Sequence, residues 1–321
     1  MKAIILVGGE GTRLRPLTYD TPKQLLPMLG TPMLEQVFAH LASHGIDEVV
    51  LSLGYLPDRF IETYPDGHVN GVKITYVVEP APLDTAGAIR FAAVQAGVTD
   101  TFVVVNGDVL TNCDLSALIA FHRANEAVGT IALHAVEDPS RFGVVVTDGH
   151  GKVLAFVEKP PRDEAPTNRI NAGIYVFDAG VIDHIAAEGR VSVERDTFPK
   201  LAAAGVLFAK LDDAYWLDTG TPTTFIQCNV DRLRMTDVAG VTHGNWVHPS
   251  AQVDPSALVR DAVVDAGCVV GPHAVLEQSV MMPGSVLEAG ATVHRAIVSP
   301  GSVVRAADVV ETDSIFDTTR S

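Results

Sequence analysis

Leu6-Val7-Gly8-Gly9-Glu10-Gly11-Thr12-Arg13-Leu14-Arg15-Pro16-Leu17-Thr18 is the stretch on which the reading of this chain turns. It continues an apolar run over residues 3–7, which reads as a buried strand. Gly8, Gly9 and Gly11 let the backbone come close to a ligand, and exposed N–H groups in such a loop cradle anionic oxygens. Arg13 and Arg15 follow at once, and Thr21-Pro22-Lys23-Gln24-Leu25-Leu26-Pro27 brings Lys23. A strand, a glycine loop and these cations point to a nucleoside triphosphate site. The loop is not a Walker A sequence, because Gly11 is followed by Thr12-Arg13 rather than Lys-Ser/Thr, nor do its glycines fit the dinucleotide spacing. A glycine turn alone can be purely structural; the cations carry the functional reading.

Working outward, strands are expected over residues 3–7, 49–53, 74–78 and 102–106. Met33, Leu34, Val37, Phe38 and Leu41 fall at helical spacing ahead of Gly45, and further helices are predicted over 86–96 and 115–124. Strand–helix alternation implies a mainly parallel sheet with helices on both faces, whose ligands bind at the carboxyl ends of the strands. Gly8–Arg13 and Gly107-Asp108 both sit at such ends.

Near Val247 the pattern changes. Val247, Val253, Val259, Val264, Val270, Val275, Val280, Val286, Val293, Val298 and Val303 recur about every six positions, separated by turns such as Pro283-Gly284-Ser285 and Pro300-Gly301-Ser302. A hexapeptide period predicts three short parallel strands per triangular coil, each sending one of these residues inward. This resembles the left-handed β-helix of hexapeptide-repeat proteins. The predicted organisation is a catalytic domain over 1–235, a β-helix over 246–310 and a polar tail over 311–321.

The 321 residues include 39 acidic and 23 basic ones, a formal net charge of −16. That argues against a nucleic-acid surface and requires any anion site to gather its cations locally or use a metal. No apolar segment approaches a membrane span, and the residues before Gly8 are too few for a signal peptide, so a cytoplasmic protein without a membrane partner is expected. Cys113, Cys228 and Cys268 are scattered and read as buried structural thiols.

Two carboxylates stand out. Phe102-Val103-Val104-Val105-Asn106-Gly107-Asp108 is a buried strand ending in an aspartate, and Trp216-Leu217-Asp218-Thr219-Gly220 sets Asp218 between an aromatic residue and a glycine turn. Such an aspartate can cap a helix or bind a metal; a pair suits Mg²⁺, which takes one or two carboxylates beside phosphate oxygens and water. Tyr215-Trp216 reads as a pocket wall. His40, His44, His68, His122, His134, His184 and His273 show no ligand spacing.

The glycine loop, Gly107-Asp108, Val157-Glu158-Lys159-Pro160, Asn171-Ala172-Gly173 and Leu217-Asp218 together resemble, in order over nearly the whole chain, the sugar-1-phosphate nucleotidyltransferases, or NDP-sugar pyrophosphorylases. The resemblance implies a Rossmann-like α/β domain with a mostly parallel mixed sheet. It implies that Arg13, Lys23, Asp108 and Asp218 are catalytic, with Asp108 and Asp218 binding Mg²⁺ as cofactor. Leu6, Gly8, Gly9, Gly11, Thr12, Arg13, Pro80, Thr85 and Gly87 would bind the nucleotide, with backbone groups near Pro80 and Gly87 facing the base. Gly143, Glu158, Lys159, Asn171 and Gly173 would bind the sugar phosphate. The implied partners are a nucleoside triphosphate, a sugar 1-phosphate and further copies of the chain, as a dimer or tetramer.

Pro139-Ser140-Arg141-Phe142-Gly143 and Val191-Ser192-Val193-Glu194-Arg195-Asp196-Thr197-Phe198-Pro199 resemble most the mannose-1-phosphate guanylyltransferase subgroup, which implies GTP and mannose 1-phosphate. Two features depart from the pattern. The β-helix is shorter than in eukaryotic-type enzymes, and Asp84 stands where glycine is usual. Another sugar or cyclitol phosphate, another nucleobase, and a non-catalytic regulatory subunit remain alternatives. An acyltransferase would need more coils.

Overall fold

The computed structural model describes residues 1–235, 239–306 and 308–319. Two compact units make up the chain: Met1–Gly9 with Leu34–Trp216, and Glu10–Met33 with Leu217–Ser321. The division therefore does not follow residue 235. Its physical reason is one shared core: Leu14, Leu17 and Leu26 pack with Phe225, Ile226, Val230 and Leu233, and with Trp246, Val263, Val280 and Ile297 from the repeat region.

In the first unit, β1 (Lys2–Leu6) lies between β2 (Glu48–Leu53) and β4 (Phe102–Asn106), with β3 (Val72–Val78) outside β2, all parallel. α1 (Leu34–Ser43), α2 (Asp84–Gln95) and α3 (Leu115–Ala124) fall within two residues of the predicted helices. Ile4, Val50 and Val104 are fully or almost fully buried, as central parallel strands covered on both faces require.

Beyond β4 the sheet changes direction. β5 (Gly129–Ala135), β6 (Gly143–Thr147), β7 (Val153–Glu158), β8 (Arg169–Phe177) and β9 (Leu207–Leu211) extend it on this side. β8 runs antiparallel to β4, β5 and β6, β7 antiparallel to β6, and β9 parallel to β5. The mixed sheet thus has a parallel half, announced by strand–helix alternation, and a largely antiparallel half where long helices are missing between strands. Tyr175, Phe177 and Phe198 fill the core beneath this junction with Phe102.

In the second unit, α4 (Pro222–Leu233) starts with Pro222 in its first turn and a capping box between Thr221 and Thr224. A parallel β-helix follows. Trp246 pairs with Val263, Val263 with Val280 and Val280 with Ile297, so each coil takes 17 residues rather than three full hexapeptides. Gly267, Gly284 and Gly301 recur at the same interval, all at positive φ, and turn one corner of successive coils.

The inward register corrects the expectation in part. Val264, Val270, Val293 and Val298 point inward, but Leu276, Met281, Leu287 and Val304 do so in place of Val275, Val280, Val286 and Val303. Each of those strands carries two adjacent apolar residues, and neighbours in a strand face opposite ways, so the valine is the outward member. Val280 is still buried, because it faces the core formed with α4. Val247 is 39% exposed. The expected tail is also corrected: Val309–Phe316 is a strand parallel to Thr292–Val298, adding a further layer to the coil. The end of that tail, residues 320–321, lies outside the described residues, as does residue 307 of the predicted β-helix. The three cysteines are buried, as the sequence leads one to expect.

Gly30 tests the second unit's core. Its φ is +81°, and a Cβ there would sit 2.5 Å from the Trp246 ring. Gly30→Ala should therefore cost about 2–4 kcal/mol from left-handed strain and overpacking. Denaturant titration followed by tryptophan fluorescence measures it; an unchanged midpoint would mean that the Gly30 turn does not pack on this ring.

Candidate active site

The first unit brings the glycine loop and the first aspartate to one rim. Leu6 is registered against Asn106 across β1 and β4, and Gly107 N donates to Leu6 O at 3.0 Å. A Cβ on Gly107 would meet Val7 Cγ1 at 2.6 Å, so the turn that presents Asp108 can be made only by glycine. Gly8 sits against Gly54, whose own Cβ would approach Gly8 Cα to 3.1 Å. Gly8 and Gly9 are exposed. Asp108 itself lies between Phe102–Asn106 and the short strand Val109–Thr111.

The sugar-phosphate candidates form a second group in the same unit. Gly143 and Glu158 are register partners across β6 and β7. A Cβ on Gly143 would collide with the Phe156 ring and come within 3.0 Å of Glu158 Oε2, so glycine leaves room for that carboxylate. Lys159 has φ +49°, its N–H is held by Phe142 O at 3.1 Å, and its ammonium lies 3.2 Å from Glu158 Oε1. Left-handed backbone at a non-glycine residue carries strain, of the kind found at ligand clamps.

Asn171 spends its amide on the protein. Its Oδ1 accepts from Gly173 N at 2.9 Å and its Nδ2 donates to the Tyr175 hydroxyl at 3.0 Å. Gly173, at φ +74°, lets the Asn106 amide approach to where a Cβ would be 2.7 Å from Nδ2. Asn106 and Tyr175 are thus supports that sequence reasoning missed; the signal was Asn106 beside Gly107-Asp108 and Tyr175 two residues after Gly173. Burial raises the Tyr175 phenol far above its usual range, with the nearby charges of Glu194, Glu158 and Asp108 adding to it. Trp216 walls this region, donating to Ala172 O at 2.8 Å and stacking on His134 at 5.4 Å.

Glu79 was also missed as a side chain, though it precedes Pro80 directly. It is half-buried, and a Cβ on Gly8 would lie 3.4 Å from its Oε1. Ser52 Oγ donates to one carboxylate oxygen at 3.3 Å and Leu83 N to the other at 3.2 Å, leaving a lone pair on each. Burial raises this carboxyl above its usual range, against the pull of those two hydrogen bonds.

Pro80 is exposed, but Gly87 is buried and donates its N–H to Val191 O at 3.1 Å. A Cβ on Gly87 would press on Leu83 Cβ at 3.0 Å, so this glycine serves close packing. The Thr85 hydroxyl is likewise engaged, by Glu194 and Val193. Asp84 has φ +62°, which explains why glycine suits the position. Aspartate tolerates left-handed backbone, and its carboxylate caps Thr85 N at 2.9 Å and meets Arg195 at 3.3 Å.

The second unit assembles the remaining candidates. Gly11, at φ +61°, opens the single 3₁₀ turn Thr12–Leu14, whose Leu14 is buried in the core with α4. Thr18 Oγ1 donates to Gly11 O at 2.8 Å, and a Cβ on Gly11 would touch Lys23 Cβ at 3.3 Å, so Lys23 packs on the loop. The two arginines part ways. Arg15 pairs with Glu10 at 2.8 Å. Arg13 reaches the Gly220 turn, where a Cβ would lie 2.6 Å from its Nη2 and 2.9 Å from Asp218 Oδ1. Gly220 N donates to that same Asp218 oxygen at 2.8 Å, fixing the carboxylate just ahead of α4. Within this unit Arg13 and Asp218 meet at the Gly220 turn, and Lys23 packs on the Gly11 loop that leads to Arg13. Among the described residues no group of three or more His, Cys, Asp or Glu could hold a metal by itself.

The Nucleotidyl transferase family model matches residues 2–234, and the GMPPB C-terminal domain model matches residues 241–319. A mannose-1-phosphate guanylyltransferase of Mycobacterium tuberculosis is 42% identical over 268 residues, 82% of this chain and 74% of its own. Mannose-1-phosphate guanylyltransferase 1 of Arabidopsis thaliana is 37% identical over 284 residues, 84% of this chain and 78% of its own. Among solved structures, HddC from Yersinia pseudotuberculosis complexed with GMP-PN matches with a TM-score of 0.62 at 29% identity, over 72% of this chain and 99% of that one. With a family model spanning most of its length and relatives matching over four-fifths of it, the chain belongs to the nucleotidyl transferase family.

Proposed function

We propose that this protein is an enzyme that condenses GTP with mannose 1-phosphate, forming GDP-mannose and releasing pyrophosphate. The observation that carries the reading is the survival of every charged group the reaction needs, Arg13, Lys23, Asp108, Glu158, Lys159 and Asp218, in a chain whose relatives bear that activity in their names. Glu79 supports the choice of base. Guanine presents two adjacent donors, N1–H and the exocyclic amine, and a carboxylate with one open lone pair on each oxygen is their complement. Thymine and uracil offer one such donor.

The sugar phosphate oxygen attacks the α-phosphorus in line while pyrophosphate departs opposite. Positioning and neutralisation of charge do most of this work, and no covalent enzyme intermediate is required. Arg13 grips the leaving phosphates, Lys23 spans the reacting ones and Lys159 holds the incoming phosphate. Glu158 accepts from sugar hydroxyls in the space that Gly143 leaves. Leu6, Gly8, Gly9, Gly11, Thr12 and Pro80 line the nucleotide's place. The donor set fits Mg²⁺: Asp108 and Asp218 are hard oxygen ligands of the number that ion takes beside phosphate and water. When bound, the ion neutralises charge on the α-phosphate.

We further propose a cytoplasmic homo-oligomer. Among the described residues no helix is long and apolar enough to cross a membrane. The outward ladder of Val269, Val286 and Val303 on the β-helix suits contact with another copy.

Pyrophosphate release, scored over five nucleoside triphosphates against several sugar 1-phosphates, should be strongest for GTP with mannose 1-phosphate; a clear winner elsewhere in that matrix reassigns the substrates, and silence throughout would favour the regulatory subunit. Asp108→Asn should lower kcat about a hundredfold or more at saturating Mg²⁺. Near-normal turnover would remove the metal role. Lys159→Ala should raise KM for the sugar phosphate about 10- to 100-fold and leave triphosphate binding largely intact. The reverse result in a titration would mean the two cation sites are exchanged.

A further inference from the structure

The segment from Val191 to Asp196 has no part in the chemistry above, yet it takes up polar groups of Leu83, Thr85, Ala86 and Gly87 in the nucleotide loop. Val191 N donates to Leu83 O at 2.9 Å, and Val191 O accepts from Ala86 N at 2.9 Å and Gly87 N at 3.1 Å. Thr85 N is capped by Asp84. The amides of Thr85, Ala86 and Gly87 in the first turn of α2 are therefore taken by protein acceptors rather than by a phosphate or a base. The Thr85 hydroxyl is used as well: it accepts from Val193 N at 2.8 Å and gives its proton to Glu194 Oε2 at 2.9 Å.

Glu194 holds the other side. Its Oε2 also accepts from Ser192 Oγ at 2.8 Å, and Ser192 in turn accepts from Arg195 N at 3.2 Å while its own N–H goes to Asp196 at 2.9 Å. Backbone bonds from Thr197 N to Ser192 O and from Phe198 N to Val193 O close Val193–Thr197 into a single π-helical turn, a local form that recurs at functional sites, and these side chains brace it. Arg195 adds a weaker tie to Asp84 at 3.3 Å. One carboxylate oxygen thus joins the loop to the turn that backs it.

We propose that Glu194 is a positioning residue for nucleotide binding, acting through Thr85, whose hydroxyl anchors residues 79–83 in place instead of touching the triphosphate. The proposal rests on the guanylyltransferase reading for its kinetic arm alone. Its consequence is that base recognition belongs to Glu79 and the exposed Pro80, with Thr85 and Gly87 setting their position.

The test uses the full-length enzyme with Thr85→Val, Glu194→Ala and the double variant, beside the conservative Thr85→Ser and Glu194→Gln. Each disruptive single change should raise KM for GTP about tenfold, with kcat and KM for mannose 1-phosphate nearly constant. The double variant should be no worse than the worse single one, since both cut the same link. Thr85→Ser and Glu194→Gln, which keep a hydroxyl and an acceptor, should stay close to wild type. Without ligand, hydrogen exchange at the Val191 and Val193 amides should quicken in both disruptive variants. Additive effects on KM would show that Thr85 meets the nucleotide itself and overturn the proposal, as would conservative variants as impaired as the disruptive ones. Unchanged exchange at those amides would overturn it too. A wild-type enzyme inactive on every substrate pair would instead defeat the functional reading, while the exchange experiment would still decide the anchor.

Discussion

The parallel pairing of Lys2–Leu6 with Phe102–Asn106 is the constraint from which the first unit's rim follows. It places the end of one strand beside the end of the other, so residues almost a hundred positions apart emerge together. The Gly107 N–H to Leu6 carbonyl bond closes that junction. A side chain at Gly107 would open it by pushing on Val7 and Ile5. Glycines that look like loop filler thus permit two strand ends to approach, and Asp108 follows directly at that junction.

A second constraint is electrostatic. A chain with a net charge of −16 repels polyanions at a distance and can hold them only where its cations are concentrated. The structure sorts the cations accordingly. Arg15 is neutralised at the surface by Glu10, whereas Arg13 turns to the Asp218 turn and Lys23 lies along Gly11. In the proposed reaction this arrangement would give Arg13 to the phosphates and Asp218 to the divalent ion.

Much of this was legible in the chain before any coordinates. Phe102 and the β-branched run Val103-Val104-Val105 are apolar, and with Asn106 they form the predicted strand without a shift. The glycine loop, both aspartates and the repeat region announced themselves through residue types that few other structures require. What stayed hidden depended on which way a side chain faces or who receives a hydrogen bond. Val275 and Leu276 are equally apolar, and only the pleat decides that leucine goes inside. Gly87 looked like a backbone donor for a base, but its amide is taken by Val191, distant in sequence. Asp84 read as a departure from a glycine position, yet the backbone there keeps the left-handed form that explains the glycine. Glu79, Asn106, Tyr175 and Glu194 act through long-range partners, which no local pattern encodes.

The 17-residue coil has an evolutionary corollary. Corners and inward positions recur in step, so losing one residue within a strand would swap its lining side chains for surface ones. Removing or duplicating a whole turn leaves every stack aligned. A change in length by complete turns therefore leaves the solenoid's stacks and its seam against α4 intact, where a change by a single residue does not.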